Sequence, residues 1–166
     1  PVYWDLMEPV EGSFDFSLID ENIKVARENH LKLIFLWFGA WKNSMSCYAP
    51  LWFKKDSRRF PRAMTGSGKP LEIASAFSAQ VEEADKKAFC KLLQHIAERD
   101  SRECTVLMIQ VENEIGMLES PRDHSPLAEK AFREGNWRQV TGDVGIAPSV
   151  EQDERFQAFY YARYVE

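Results

Sequence analysis

The sequence is poor in cysteine, in residues that break regular structure and in long apolar runs. Its 166 residues include three cysteines, eight glycines and eight prolines. Because the cysteines are odd in number and lack a C-x-x-C spacing, they indicate neither a disulfide framework nor a zinc site, and we expect buried thiols. The longest apolar run, 31–38, is far shorter than the ~20 residues of a membrane span. We therefore expect no transmembrane segment and no membrane partner.

An excess of positive charge is also missing. The chain carries 21 basic and 26 acidic side chains, which gives a formal net charge of −5. A nucleic-acid surface needs clustered Lys and Arg to neutralise phosphates, so we expect no nucleic-acid partner. The one basic cluster spans 54–62. Its Arg58, Arg59 and Arg62 could bind an acidic sugar or a phosphate, although a solvated loop face is the expectation for so short a cluster.

The motifs of several enzyme classes are absent. Neither G-x-G-x-x-G nor G-x-x-x-x-G-K-[ST] follows a predicted strand, which argues against a nucleotide-binding domain. No G-x-S-x-G occurs, so a serine nucleophile is not indicated. The three histidines, His30, His95 and His124, share no spacing and form no H-E-x-x-H. We therefore expect neither a metal nor another cofactor.

The sequence does contain strand and helix patterns in alternation. Apolar runs at 31–38 and 105–111, with a shorter one at 2–5, predict strands. Stripes at helical spacing predict helices, the first of them capped by Ser17, at 18–28, 85–99, 127–134 and 151–165. Between 39 and 82 no convincing period is found, and loops of that length are usually functional. The alternation implies parallel strands joined by right-handed crossovers, so the predicted class is α/β.

Polar residues follow the strand at 105–111. By period two, Gln110, Glu112 and Glu114 would share one face of a continued strand. Polar groups at a strand end are costly to bury unless they have partners or a function. A (β/α)8 barrel builds its active site from such residues at its carboxyl-terminal face, which favours a barrel over a doubly wound sheet. For the Asn113-Glu114 dipeptide alone, a surface turn is the alternative.

Three segments resemble glycoside hydrolases, and they occur in the matching order. QVENEIG, at 110–116, resembles the acid/base segment of the retaining β-galactosidases of glycoside hydrolase families 35 and 42. YWDLMEP and EGSFDFS, within 3–17, resemble the second-strand segment of these enzymes. LWFGAWKNSMSCYAPLWFKKD, at 36–56, resembles their third-strand loop, particularly in a bacterial β-galactosidase-like branch. The likeness covers most of 2–120 and is weaker at 153–166.

The resemblance implies a mechanism with two carboxylates. Glu114 matches the general acid/base, and Asn113 matches the residue that holds the sugar 2-hydroxyl. In a retaining mechanism a second carboxylate, about 5–5.5 Å away, attacks the anomeric carbon. In the resembled families this nucleophile is a Glu on the seventh strand, so we expect it outside this chain. We expect Glu112 to be a supporting residue, because it would stand on the same wall as Glu114 rather than across the sugar.

The resemblance also implies sugar contacts at two other strand tips. Tyr3 and Trp4 match the second-strand tip, where a Tyr lies near the sugar in the resembled families; packing at the barrel rim is the alternative. Asn43 and Trp41 are the best candidates on the third-strand loop. Lys42 and Asn43 stand where better-known members carry an Ala-Glu pair that binds sugar hydroxyls. This departure puts a preference for galactose in doubt.

Residues 1–166 are therefore predicted to be part of the catalytic (β/α)8 barrel of a retaining exo-glycosidase, from its second strand through its fourth helix. The chain begins with Pro, so we expect an internal portion of a longer protein, inactive by itself. The substrate would be an oligosaccharide or another glycoside. The missing barrel segments, or self-association, would cover the open sheet edges. A non-catalytic carbohydrate-binding barrel is the alternative; it would keep the aromatic residues and Asn113 without a working carboxylate pair.

Overall fold

The structure, a computed structural model, describes residues 1–43, 46–141 and 150–165. Along these residues the elements are β1 (Val2–Tyr3), α1 (Trp4–Met7), α2 (Ser17–Glu28), β2 (Leu33–Phe38), α3 (Leu51–Lys55), β3 (Arg62–Met64), β4 (Pro70–Ala74), α4 (Ala79–Asp100), β5 (Val106–Val111), α5 (Pro126–Glu134), α6 (Trp137–Thr141) and α7 (Val150–Val165). Residues 44–45, 142–149 and 166 lie outside the described residues.

Three strands form a parallel sheet in the order β1-β2-β5. Val2 of β1 pairs with Trp37 of β2, and β2 pairs in parallel with β5 along its length. Helices α2 and α4 lie in the two crossover connections, which is the arrangement that parallel strands require. The predicted α/β class is thereby confirmed. The first strand is shorter than the predicted range 2–5, because Trp4 and Asp5 already belong to α1.

The two long helices before β5 begin earlier than their apolar patterns predict. Helix α4 begins at Ala79 rather than at 85, because Val81 and Asp85 extend its buried stripe toward the amino terminus. Because Asp85 is a charged residue type, a search for apolar residues at helical spacing does not include it and misses the first turns of α4. Helix α2 includes Ser17, its predicted cap, whose backbone N–H donates to Asp15 Oδ1 at 2.8 Å. No helix in the described part of the chain is both long enough and apolar enough to span a bilayer.

The segment 39–82 is not one long loop. It holds α3, β3, β4 and the first turn of α4. Strands β3 and β4 form a separate antiparallel pair, with Arg62 opposite Ala74. Elements α3, β3 and β4 are only three to five residues long. Hydrophobic periodicity is read over windows of roughly 11–18 residues, so segments this short do not register.

Aromatic residues fill the core between the sheet and the helices. Trp4, Trp37 and Phe53 are fully buried, and the ring centroids of Trp4 and Phe53 lie 5.2 Å apart. In contrast, Ile34 of β2 and its partner Met108 of β5 are 59% and 63% exposed. Along β2, Phe35 and Trp37 are buried whereas Ile34 is exposed, so the two faces of this strand differ. In β5 the contrast is weaker, since Val111, the partner of Trp37, is itself 40% exposed.

The basic cluster at 54–62 is held by local partners. Arg59 pairs with Glu11, at 2.6 Å between Nη2 and Oε1, and Arg62 donates to the carbonyl of Glu72. Lys54 lies 3.4 Å from the Glu72 carboxylate. Arg58 and Arg59 are exposed in the turn after α3, as expected for a solvated loop face, whereas Arg62 is half-buried in β3.

The three cysteines do not share one environment. Cys47 is buried, as expected, and burial raises the pKa of its thiol. Cys90 and Cys104 are exposed, so the prediction of buried thiols is wrong for these two. Cys90 lies beside the buried stripe of α4 rather than on it, and Cys104 lies in the turn before β5.

Candidate active site

The carboxyl ends of β1, β2 and β5 meet at one edge of the sheet. Tyr3 ends β1, and Phe38 ends β2 as its register partner. Val111 ends β5 and is followed directly by Glu112, Asn113 and Glu114. Because the strands are parallel, the predicted site residues of the three strand tips are brought to the same side of the molecule.

The turn after β5 has an unusual backbone. Glu112 and Glu114 both have positive φ, 57° and 45°, on either side of Asn113. Non-glycine residues rarely adopt this region, and each such residue costs about 1 kcal/mol or more, so surrounding contacts must hold it. The alternation of the strand ends at Val111: Glu112 is 2% exposed, whereas Glu114 is exposed to solvent. The prediction that both carboxylates share one face is therefore wrong.

The side chain of Asn113 is oriented by two neighbours. Its Nδ2 donates to the Lys42 carbonyl at 2.9 Å, and its Oδ1 accepts from Gln110 Nε2 at 2.9 Å. The first bond joins the turn after β5 to the loop after β2. The amide is thereby held in one orientation at the sheet edge.

Glu114 directly follows this oriented amide in the turn after β5. Within the described residues its carboxylate has no hydrogen bond and no ion pair, and its side chain is exposed. An exposed acid without a protein partner can approach a ligand at the sheet edge. The structure thus brings Glu114 and Asn113 together in a position that a ligand could reach.

Two of the predicted sugar contacts are core residues. Trp4 and Trp41 are both 0% exposed. The indole N–H of Trp4 donates to Glu8 Oε2 at 2.7 Å, and the ring of Trp41 meets the edge of Tyr164 at 4.3 Å between centroids. Their rings are covered by protein, so the structure does not place either of them where the predicted sugar contact could be made. Their apolar area is buried in packing instead.

The other two predicted contacts lie at the surface of the site. Tyr3 is half-buried and packs against Tyr48, with ring centroids 4.6 Å apart. Asn43 is half-buried, and its Oδ1 accepts from the backbone N and from the hydroxyl of Ser46, both at 3.0 Å. Lys42 places its ammonium 5.9 Å from the centroid of the Phe38 ring. Tyr3 and Asn43 therefore remain candidates for sugar contact.

Behind the turn, Glu112 forms a buried carboxyl cluster with Asp85, a residue that the sequence did not single out. Asp85 accepts hydrogen bonds from Trp37 Nε1 at 2.9 Å and from the Tyr164 hydroxyl at 3.0 Å. Glu112 Oε2 accepts from the backbone N–H of Trp41 at 3.0 Å. Burial raises the pKa of Glu112 well above its ordinary value, and the charge of Asp85 raises it further. Burial is also the main reason that the pKa of Tyr164 is raised.

The sequence profile of glycoside hydrolase family 42, described as β-galactosidase, matches residues 2–140. This chain belongs to glycoside hydrolase family 42. The family 35/42 resemblance inferred from the three segments is therefore confirmed, and the matched range includes all the predicted site residues. No curated protein sequence matches the chain.

The fold of this family 42 chain is similar to that of solved β-galactosidases. The enzyme from the psychrophilic Marinomonas ef1 aligns with a TM-score of 0.67 at 15% identity, over 97% of this chain and 28% of its own. That from Bacillus circulans sp. alkalophilus aligns with a TM-score of 0.61 at 20% identity, over 82% of this chain and 18% of its own. Gan42B from G. stearothermophilus, in its E323A catalytic mutant, aligns with a TM-score of 0.59 at 22% identity, over 84% and 19%. The chain thus spans less than a third of the length of each of these proteins.

Proposed function

We propose that these residues are part of a retaining exo-glycoside hydrolase of the β-galactosidase type, with Glu114 as the general acid/base. The observation that carries the proposal is the placement of Glu114. In a chain of family 42 it follows the end of a parallel strand, is exposed, and adjoins an oriented Asn113. This is the position from which the active site of a (β/α)8 barrel draws its acids.

The chemistry assigned to Glu114 is proton transfer in both halves of the reaction. A glycosidic oxygen is a poor leaving group, so the carboxylic acid protonates it as the bond to the anomeric carbon breaks. The resulting carboxylate then removes a proton from the water that releases the sugar. We assign Asn113 to the sugar 2-hydroxyl, where a hydrogen bond that strengthens in the transition state lowers the barrier.

The nucleophile of this mechanism is assigned to a residue outside the 166. Glu112 is the nearest carboxyl group in sequence, but it is buried and faces Asp85 rather than the exposed edge where Glu114 lies. A retaining mechanism requires a second carboxylate across the sugar, about 5–5.5 Å from the first. Glu112 therefore does not meet the requirement, and a carboxylate from another strand of the barrel would.

The proposed barrel contains β1, β2 and β5 as its second, third and fourth strands, and the chain extends through its fourth helix. Support comes from the parallel order β1-β2-β5 and from the likeness to solved family 42 enzymes. The exposed Ile34 and Met108 would face the barrel interior, where side chains from other strands pack in layers. The substrate class follows: a glycoside whose terminal sugar enters at the carboxyl-terminal edge.

The stereochemistry of the product tests this proposal. In the full-length protein, proton NMR of freshly hydrolysed 4-nitrophenyl β-D-galactoside should show the β-anomer of the sugar first, with the α-anomer appearing only as the product mutarotates. The physical reason is that two successive displacements at the anomeric carbon restore its configuration. Initial release of the α-anomer, or no hydrolysis of any aryl β-glycoside in a panel of sugars, would contradict the proposal.

Replacing Asn113 and replacing Asn43 should change different kinetic constants. We expect Asn113→Ala to lower kcat roughly 10-fold, the equivalent of one lost hydrogen bond to the transition state. Asn43→Ala should mainly raise KM, because a contact to a remote hydroxyl is made equally in the ground and transition states. Steady-state kinetics on an aryl glycoside, with Tm measured for each variant, decide the matter. Parallel losses of Tm and of active fraction in both variants would indicate that the two residues only stabilise the fold.

A further inference from the structure

Asp85 and Glu112 form a buried carboxyl pair directly behind the Asn113-Glu114 turn. They are 3% and 2% exposed. Their oxygens come together beside Gly39, which has no side chain: a Cβ at this position would lie within 3.0 Å of Asp85 Oδ1 and of Glu112 Oε1 at the same time. Two ionised carboxylates so near each other, away from water, repel strongly, so the pair favours a state with a single negative charge.

The two carboxyl groups of the pair differ in the donors that surround them. Asp85 Oδ1 accepts from the indole N–H of Trp37, and Oδ2 accepts from the backbone N–H of Ala40 at 3.1 Å and from the hydroxyl of Tyr164. Both oxygens of Asp85 are therefore acceptors, as an ionised carboxylate requires. Glu112 Oε2 is an acceptor too. Its Oε1, in contrast, is buried and has no donor among the described residues.

A proton on Glu112 Oε1 would give this buried oxygen a hydrogen-bond partner. It turns the oxygen into a donor and gives it an acceptor in the neighbouring Asp85 carboxylate. We propose that Glu112 is the protonated member of the pair, that it donates from Oε1 to Asp85, and that this hydrogen bond positions the turn that carries Asn113 and Glu114. The raised pKa of Glu112, caused first by burial and then by Asp85, agrees with this assignment.

The pair ties two loops of the site together. Asp85 of α4 binds the backbone of Ala40, and Glu112 binds the backbone of Trp41, so both acids hold the loop after β2. Glu112 is also the residue that begins the strained turn, and its neighbour Asn113 bonds to Lys42 in the same loop. Glu112 is thus a positioning residue that acts through Glu114. Its effect on catalysis rests on the proposed function, whereas the shared proton does not.

The ionisation of Glu112 gives the pair a pH dependence of known sign. Because its pKa in the folded protein is above the ordinary value of 4.5, its contribution to stability is complete below that value. It is lost as the pH rises through the folded pKa. Among the described residues, the other ionisable groups that line this cleft are Tyr164 of α7, whose raised pKa keeps it protonated, and Glu82, Lys86 and Cys90 of α4. Of these four groups, Lys86 is the one that carries a positive charge.

The shared proton is tested by Tm as a function of pH in the full-length protein. Glu112→Gln keeps a donor toward Asp85 and an acceptor toward Trp41 but cannot ionise. We therefore expect the Tm of the wild type to fall relative to that of Glu112→Gln between about pH 5 and about pH 8. Glu82→Gln, which removes a carboxylate from the same cleft, should track the wild type. A constant difference between wild type and Glu112→Gln across this range would overturn the assignment.

The two acids should also respond differently to the same chemical change. Asp85→Asn replaces one acceptor oxygen by an N–H₂ group that faces N–H or O–H donors, so its loss of Tm should exceed that of Glu112→Gln several-fold. If Glu112→Gln were the more damaging of the two, the proton would have to be placed on Asp85 instead, and the proposal would fail.

The positioning role is tested by combining variants in the full-length protein. At about pH 5, Glu112→Ala should lower kcat roughly 10-fold on a disaccharide with KM changed less than about 3-fold. In a Glu114→Gln background the same substitution should lower kcat no further, because residues that act as a unit are not additive. A full additional loss in that background would overturn the positioning role. If Glu114→Gln itself retained activity, the proposed function and the positioning role of Glu112 would both be wrong. The comparison of Tm between the wild type and Glu112→Gln would still test whether Glu112 carries the shared proton.

Discussion

Glu114→Gln should lower the kcat of the full-length protein on a disaccharide by at least ~100-fold. The amide has nearly the same shape as the carboxyl group but cannot protonate a leaving group. Because the side chain is exposed, its replacement breaks no hydrogen bond or ion pair within the described part of the chain. We therefore expect KM and Tm to change little, which separates this variant from one that is merely unstable.

The leaving group provides the internal check on Glu114. An activated aryl glycoside departs with little help from an acid, so its first step should be spared in Glu114→Gln, as seen in a pre-steady-state burst of the phenol. Glu119→Gln is the matched control: this nearby carboxylate is exposed and paired with Lys69 at 2.6 Å, and its loss should leave kcat at the wild-type value. Wild-type turnover of the disaccharide by Glu114→Gln would show that the acid lies elsewhere.

The 166 residues expressed alone should have no measurable glycosidase activity and should self-associate. The second carboxylate of the mechanism is assigned to another part of the barrel, so the first displacement cannot occur. The exposed Ile34 and Met108 lie on paired strands, and β5 is an edge of the sheet with unpaired backbone groups. Apolar side chains on an open edge promote pairing with a second copy.

Sedimentation velocity together with the NMR assay would examine both parts of this prediction. Met108→Lys should shift the chain toward the monomer, because a charge on an edge strand opposes pairing between copies. Leu18→Lys, at an exposed position on α2, should leave the degree of association unchanged. Turnover by a monomer that depends on Glu114 would mean that a carboxylate within this chain is the nucleophile.

Much of the parallel sheet could be predicted from the sequence because its signals are local. The apolar runs that contain β2 and β5 are nearly continuous, as buried parallel strands are, and their bounds differ from the predicted ones by one or two residues. The end of β1 was harder to predict. The residues of VYWD fit a strand by composition, but the hydrogen bonds of α1 begin at Trp4.

The parts of the site that could not be predicted depend on tertiary contacts. The period of a strand carries no information on where φ changes sign, so nothing in VENE indicates that Glu112 turns inward and Glu114 outward. Tryptophan is common both in sugar-binding sites and in hydrophobic cores, so the sequence does not show which role Trp4 and Trp41 have. Their complete burial in the structure shows that they belong to the core. For Asp85 a signal did exist, since it stands four residues after Val81 on the buried stripe of α4.

The buried pair has a consequence for transplanting this site into another scaffold. A strand that ends in Asn-Glu is short enough to copy, but its final turn is held by groups that arrive from α4, from α7 and from the loop after β2. A graft would need a position without a side chain like Gly39, since any Cβ there would displace both acids. The acid/base dipeptide therefore cannot be transferred by itself. A functional graft would also need the supporting parts of α4, of α7 and of the loop after β2, which are distant from one another in the chain.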